Sequence, residues 1–158
     1  MRILGIDPGY DRLGIAGISG DRQKQVIEYS ECFETNPKDT FEVRLHAAVS
    51  HIKNILKDYS PDSVALETLF FSNNQKTAMH VAETRGALLF AITDADIPVF
   101  QYSPQEVKVA VSGSGRGNKD DIARMLHKLL AIPEKKMLDD EYDAIAVAIT
   151  HMVSAPNA

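Results

Sequence analysis

Only one cysteine, Cys32, occurs in the chain, so no internal disulfide can form and a reducing, cytoplasmic setting is expected. No apolar run is long enough to span a bilayer; the longest, Ala144 to Ile149, falls far short, so no membrane association is expected. The first residues, Met1-Arg2-Ile3-Leu4-Gly5-Ile6-Asp7, lack a long apolar stretch before a small-residue cleavage site, and no signal peptide is expected. Internal repeats and low-complexity tracts are missing as well. A basic excess is also absent: the net charge is -5, which argues mildly against a nucleic-acid partner unless the acids are gathered in a cation site.

What is present fits one globular unit. The 158 residues are 44% hydrophobic and 25% charged, values suited to a single domain over residues 1–158 with one core. Ile3-Leu4-Gly5-Ile6 reads as a buried strand closed by Asp7 and the turn Pro8-Gly9. Strands are also expected over Leu13–Ile18 and Val26–Phe33. Their short connections predict an antiparallel meander. Phe41, Leu45, Ala48, Ile52, Ile55 and Tyr59 recur at helical spacing, with Pro61 as the stop. Val64-Ala65-Leu66 is a short strand ending at Glu67. Ala78 to Ile92 supports a second helix despite Gly86. Ile97-Pro98-Val99-Phe100 is expected as the fifth strand.

Ser103-Pro104-Gln105-Glu106 is a capping box with proline at the first helical position, opening a short helix that ends near Val111. Ser112–Gly117 reads as a flexible loop, Asn118 as the cap of a helix stopped by Pro133, and a last helix runs from near Asp140 toward Met152. The order β-β-β-α-β-α-β-α-α-α predicts an α/β fold, a mixed five-stranded sheet flanked by helices.

The acids carry the chemistry. Asp7 ends an all-apolar strand, where an ionised carboxylate needs a partner, a hydrogen bond or a cation. As a turn starter before Pro8-Gly9 it would have a purely structural role. Glu67 repeats the arrangement without that turn preference, and ligand sites in α/β sheets gather at strand ends. Asp140 and Asp143 are three apart at the start of the last helix and share a face. Acids there also suit the helix dipole, but Asp143 adjoins the buried-looking run Ala144–Ile149. Asp139 and Glu141 belong to the same acidic run, and spacing leaves Asp139 open as the partner instead of Asp140. Four carboxylates without a histidine–cysteine cluster favour hard cations such as Mg²⁺ or Mn²⁺. Two such ions suit phosphodiester cleavage. The five histidines, His46, His51, His80, His127 and His151, are scattered, and most read as surface or helix-face residues.

These residues also resemble a known family, the RuvC Holliday junction resolvases. The likeness lies in Ile3–Gly9, Ala65-Leu66-Glu67 with Leu69-Phe70 and Asn73-Asn74, Glu83-Thr84-Arg85-Gly86, Tyr102 to Lys108, Gly113 to Lys119, and Asp140 to Ala148. It covers essentially the whole chain. The resemblance implies an RNase H-like fold and an endodeoxyribonuclease of recombination and repair. It also implies a homodimer that nicks two opposed strands of a four-way DNA junction and works with a branch-migration complex of the RuvA/RuvB type. It makes Asp7, Glu67, Asp140 and Asp143 the ligands of two Mg²⁺ ions, which Mn²⁺ can replace. Lys119 joins them in catalysis, and Phe70, Arg85, Lys108, Arg116 and Lys119 become DNA contacts. The loop Gly9–Gly14 departs from the usual family pattern, which commonly carries Thr-Gly before the second strand.

Three other readings compete. Asp7-Pro8-Gly9 followed by Gly14 also resembles the phosphate loop of actin-like and sugar kinases, but those need two such domains. A non-catalytic DNA-binding relative would be expected to lose some of the acids. A relative acting on RNA or on other DNA forms would keep them all.

Overall fold

The computed structural model describes residues 1–68, 75–115, 119–132 and 137–155. Five strands form one sheet: β1 (Arg2–Asp7), β2 (Arg12–Gly20), β3 (Gln25–Glu34), β4 (Ser63–Glu67) and β5 (Val99–Tyr102). Their spatial order is β3-β2-β1-β4-β5, with β1 to β3 antiparallel neighbours and β4 and β5 parallel to β1 and to each other. The meander and the mixed sheet follow the expectation. The helices are α1 (Phe41–Tyr59), α2 (Gln75–Asp94), α3 (Pro104–Ser112), α4 (Lys119–Leu129) and α5 (Asp139–Ser154).

The sheet is covered on both faces because its central strands are apolar at consecutive positions. Leu4, Ile6, Leu13, Ile15, Val64 and Leu66 point to one face and pack with Ala48, Ile52 and Leu56 of α1 and Leu88 and Ile92 of α2. Ile3, Ala16, Ile18 and Ala65 point to the other and meet α3, α4 and most of α5. Period-two alternation therefore sorts one sequence into two cores, one per face, where a single core was expected. Each fully buried aliphatic side chain contributes about 1.5–3 kcal/mol.

The bounds of the fifth strand need correcting. The fifth strand lies at Val99–Tyr102, later than Ile97–Phe100. Pro98 has no N–H for a ladder and offers only its carbonyl, to Val64 N at 2.9 Å, so regular pairing begins at Val64–Val99. Most of the histidines are exposed or half-buried, as expected, and one lies in the interior. His151 is fully buried on α5, bonded to the Ser63 hydroxyl at 3.0 Å and the Tyr102 hydroxyl at 2.7 Å, with Phe100 stacked on its ring. Burial holds its pKa below the usual histidine value.

At α3 the expected capping box is complete: Ser103 Oγ accepts from the Glu106 N–H while the Glu106 carboxylate accepts from Ser103 N. Helix α1 stops on Ser60 in the left-handed conformation, one residue before Pro61. The proposed cap Asn118 and stop Pro133 lie outside the described residues.

Candidate active site

The parallel register Gly5–Ala65 and Ile6–Leu66 sets Asp7 of β1 beside Glu67 of β4 at one end of the sheet. Both follow the alternation of Ile3 and Ala65, so both side chains project to the α5 face. They hydrogen-bond to each other.

The second pair of acids arrives from α5, and glycine lets it come close. A Cβ on Gly5 would overlap the Ala144 carbonyl and the Ala148 side chain; one on Gly14 would overlap the backbone of Asp140. Gly14 is the register partner of Asp7. Two glycines inside strands, normally a weakness, are here the seats on which the first turns of α5 rest. A signal for this was present in the sequence: glycines within two strands, and Ala144 and Ala148 four apart on one face of the last helix.

The electrostatics follow from this crowding. Burial, then the negative charges of Glu67 and Asp143, then the Glu67 hydrogen bond and the charge of Asp140, push the Asp7 pKa well above the usual carboxylate range. Burial and the Asp143 charge raise Glu67 too, opposed by its bond to Asp7 and by the charges of Lys119 and Lys108. The charge of Asp140 is among those that act on Asp7, and Asp139 is exposed and acts on Lys119.

Each acid has a partner. Lys119, at the start of α4, donates to Asp143 at 2.9 Å, and that bond raises the lysine pKa. Arg12 lies 3.9 Å from Asp140 and 3.3 Å from Glu34. Among the described residues, no three acids, histidines or cysteines form a ready cation cage. The donor set nonetheless fits a hard divalent cation. It is all carboxylate oxygen, it collects like charge in a half-buried place, and that repulsion is what a bound cation would relieve.

The other expected DNA-contact residues divide. Lys108 on α3 stands near enough to Glu67 to act on its titration. Arg85 of α2 faces the back of the site: its Nε donates to the Glu67 carbonyl at 3.3 Å and a terminal nitrogen bonds the Gln101 side chain. It braces the strand end that carries Glu67. Phe70 and Arg116 lie outside the described residues. Glu141, noted only as part of the acidic run, is buried; it accepts from Ser30 Oγ at 3.0 Å and from Leu138 N at 3.3 Å, fastening the start of α5 to β3.

The chain matches over residues 3–151 the family model described as crossover junction endodeoxyribonuclease RuvC. The protein of that name from Thermotoga petrophila is 42% identical over 158 residues, covering 98% of this chain and 94% of the relative. The one from Desulforamulus reducens is 42% identical over 153 residues, covering 96% and 93%. Among solved structures, Thermus thermophilus RuvC in complex with Holliday junction substrate superposes with a TM-score of 0.92 at 31% identity, covering 98% of this chain and 94% of that one. The sheet and its flanking helices are thus RNase H-like.

Proposed function

The chain belongs to the RuvC family of crossover junction endodeoxyribonucleases, and we infer that it resolves four-way DNA junctions at the Asp7–Glu67–Asp140–Asp143 cluster. It is a metal-dependent nuclease. The observation that carries the site assignment is the gathering of four carboxylates, from β1, β4 and α5, at one end of the sheet with Lys119 and Lys108 beside them. Mg²⁺, two ions per site and replaceable by Mn²⁺, suits these oxygen donors. When bound, such ions supply an activated water and offset charge on the leaving oxygen.

The residues of the chain do the rest. Asp7 and Glu67 anchor the cation side of the site from rigid strand ends, and Asp140 and Asp143 close it from α5. Lys119 is the cation best placed to meet charge developing on the scissile phosphate, its present bond to Asp143 holding it at the site. Lys108 adds positive potential toward the incoming backbone. Phe70, Arg116 and Arg85 complete the proposed DNA contacts, Arg85 through the strand end that it braces. We assign the whole chain, residues 1–158, to a single nuclease domain.

Replacing Lys119 with Ala separates two roles. As a stabiliser of the reacting phosphate, its loss lowers the single-turnover cleavage rate on the order of 10²-fold while affinity changes little. As a mere phosphate contact, it reduces the salt dependence of binding by about one unit. We expect the first outcome. A Lys119→Ala protein unchanged in both would make this lysine a solvated helix-start residue.

Paired nicks across one junction call for two such sites, and a two-fold homodimer supplies them. A face of α2 that none of the described residues covers supports this: Met79 is 64% exposed, Phe90 is 67% exposed, and Gly86 between them leaves open space for a close helix. A branch-migration complex of the RuvA/RuvB type is the expected partner on the junction. A nuclease of bacterial recombination works where the chromosome is, in the cytoplasm, and the lone Cys32 suits that reducing setting. No helix among the described residues is long and apolar enough to cross a membrane.

The test of the substrate is direct. Synthetic four-way junction, linear duplex and RNA–DNA hybrid of matched sequence are incubated with the protein and Mg²⁺. Symmetric nicking of the junction alone is expected. Equal cleavage of the hybrid would transfer the reading to an RNase H-like nuclease of other substrates.

A further inference from the structure

Tyr10, Phe41 and His80 form an aromatic cluster that belongs to neither hydrophobic core. The rings of Phe41 and His80 lie 4.1 Å apart, Tyr10 and His80 5.2 Å, and Tyr10 and Phe41 6.1 Å edge-on. All three are half-buried, and they come from three separate segments: the β1–β2 loop, the start of α1 and the first half of α2. Three aromatic rings outside both cores, each partly open to solvent, are more costly than three polar residues in the same places unless something covers them.

Their position relative to the carboxylates is definite. Helices α1 and α2 cover the sheet face opposite α3, α4 and α5. The end of the sheet that carries Asp7 and Glu67 is therefore flanked by the lysines of α3 and α4 on one side and by the aromatic cluster on the other. Tyr10 is three residues beyond Asp7, so its Cα lies within about 11 Å of Asp7 by chain length alone. At about 3.4 Å per stacked nucleotide of one strand, that is a reach of about three nucleotides.

The Tyr10 ring is also held in advance. The Arg44 guanidinium, buried on α1, sits 4.8 Å from the ring centroid, donates from Nε to Thr35 Oγ1 at 2.8 Å and pairs with Asp11. Thr35 in turn donates to the Tyr10 carbonyl at 2.7 Å. A loop fixed by a buried arginine presents its aromatic ring at little further cost in entropy on binding.

We propose that Tyr10, Phe41 and His80 are a nucleobase platform, on which an unpaired base within about three nucleotides of the scissile phosphate stacks, on the side of the strand away from Lys108 and Lys119. Every base has a π-face, so the platform accepts any sequence while fixing the strand's direction across the carboxylates. The proposal rests on the junction-nuclease reading above.

A cycle between protein and DNA tests it. Junctions carry a single abasic site at each of three nucleotides on either side of the nick. Binding is titrated without divalent cation, for the wild type, Tyr10→Ala, His80→Ala and Tyr10→Phe. One abasic position is expected to weaken wild-type binding by about tenfold, the worth of one base–aromatic stack. At that position alone, the two alanine variants should show less than a twofold further loss, while Tyr10→Phe should behave as wild type. His80→Ala leaves the Arg44 network untouched, so it stands even where Tyr10→Ala unfolds the loop. Losses that multiply independently at every position, or a wild type indifferent to all six abasic sites, would overturn the platform. A wild type that does not prefer the intact junction over duplex would instead count against the substrate reading.

Discussion

Asp7→Asn will bind a four-way junction about as tightly as the wild type and fail to cut it. Asp7 is the acid most crowded by the others, its titration raised by burial and by Glu67, Asp143 and Asp140 together. The substitution keeps its shape and removes one negative charge. Binding to phosphate does not suffer, because a carboxylate repels the DNA backbone, and the change will tighten binding slightly at low salt. Cleavage falls because the site has lost an anionic oxygen of its cation-holding set; the expected loss in single-turnover rate is on the order of 10³-fold or more. Glu67→Gln and Asp143→Asn should do the same. Gel shift and nicking on one labelled junction measure both quantities together. Near-normal cleavage by Glu67→Gln would remove the carboxylate cluster from the chemistry.

A single methyl group at Gly14 should be nearly as damaging, without touching any acid. A Cβ there would occupy the space of the Asp140 backbone carbonyl, and neither strand β2 nor the first turn of α5 has a flexible side chain to give way. The helix start must move, and it carries both Asp140 and Asp143. Misplacement of catalytic groups by about 1 Å costs on the order of 10²-fold in rate. Overpacking of this kind also costs about 1–3 kcal/mol in stability. Each kcal/mol lowers the melting temperature of a chain this size by about 2–4 °C. Gly14→Ala should therefore fold, melt earlier and cleave poorly, with junction binding retained. Thermal melting and single-turnover cleavage would both be measured. A Gly14→Ala protein that cuts at the wild-type rate would show that α5 is not seated through this contact.

Much of this site could be read along the chain. Asp7 and Glu67 stand out because each closes a short apolar strand, and alternation is a local property that needs no neighbour to be visible. The Asp140/Asp143 spacing, the Ser103–Glu106 capping box and the order of elements are local in the same way. Each depends on residues within about one helical turn, where backbone geometry dictates which side chains share a face. The resemblance of these segments to the RuvC family rested on the same local patterns.

Other features depended on contacts between distant residues. That Asp7 lies beside Glu67 follows from a parallel register between strands almost sixty residues apart, which no local pattern encodes. The first turns of α5 come this near the strands because the helix settles on Gly5 and Gly14, a fit decided by the volume of three elements at once. Arg85 turned out to brace the Glu67 carbonyl from behind, and His151 to be buried between Ser63 and Tyr102. The fifth strand started two residues late because its pairing with β4 outweighed its own apolar run. The ring cluster of Tyr10, Phe41 and His80 draws on three segments that share no sequence signal. The sequence thus determined which residues bear charge and which local elements carry them. Packing, through register and close approach, determined which of those charges meet.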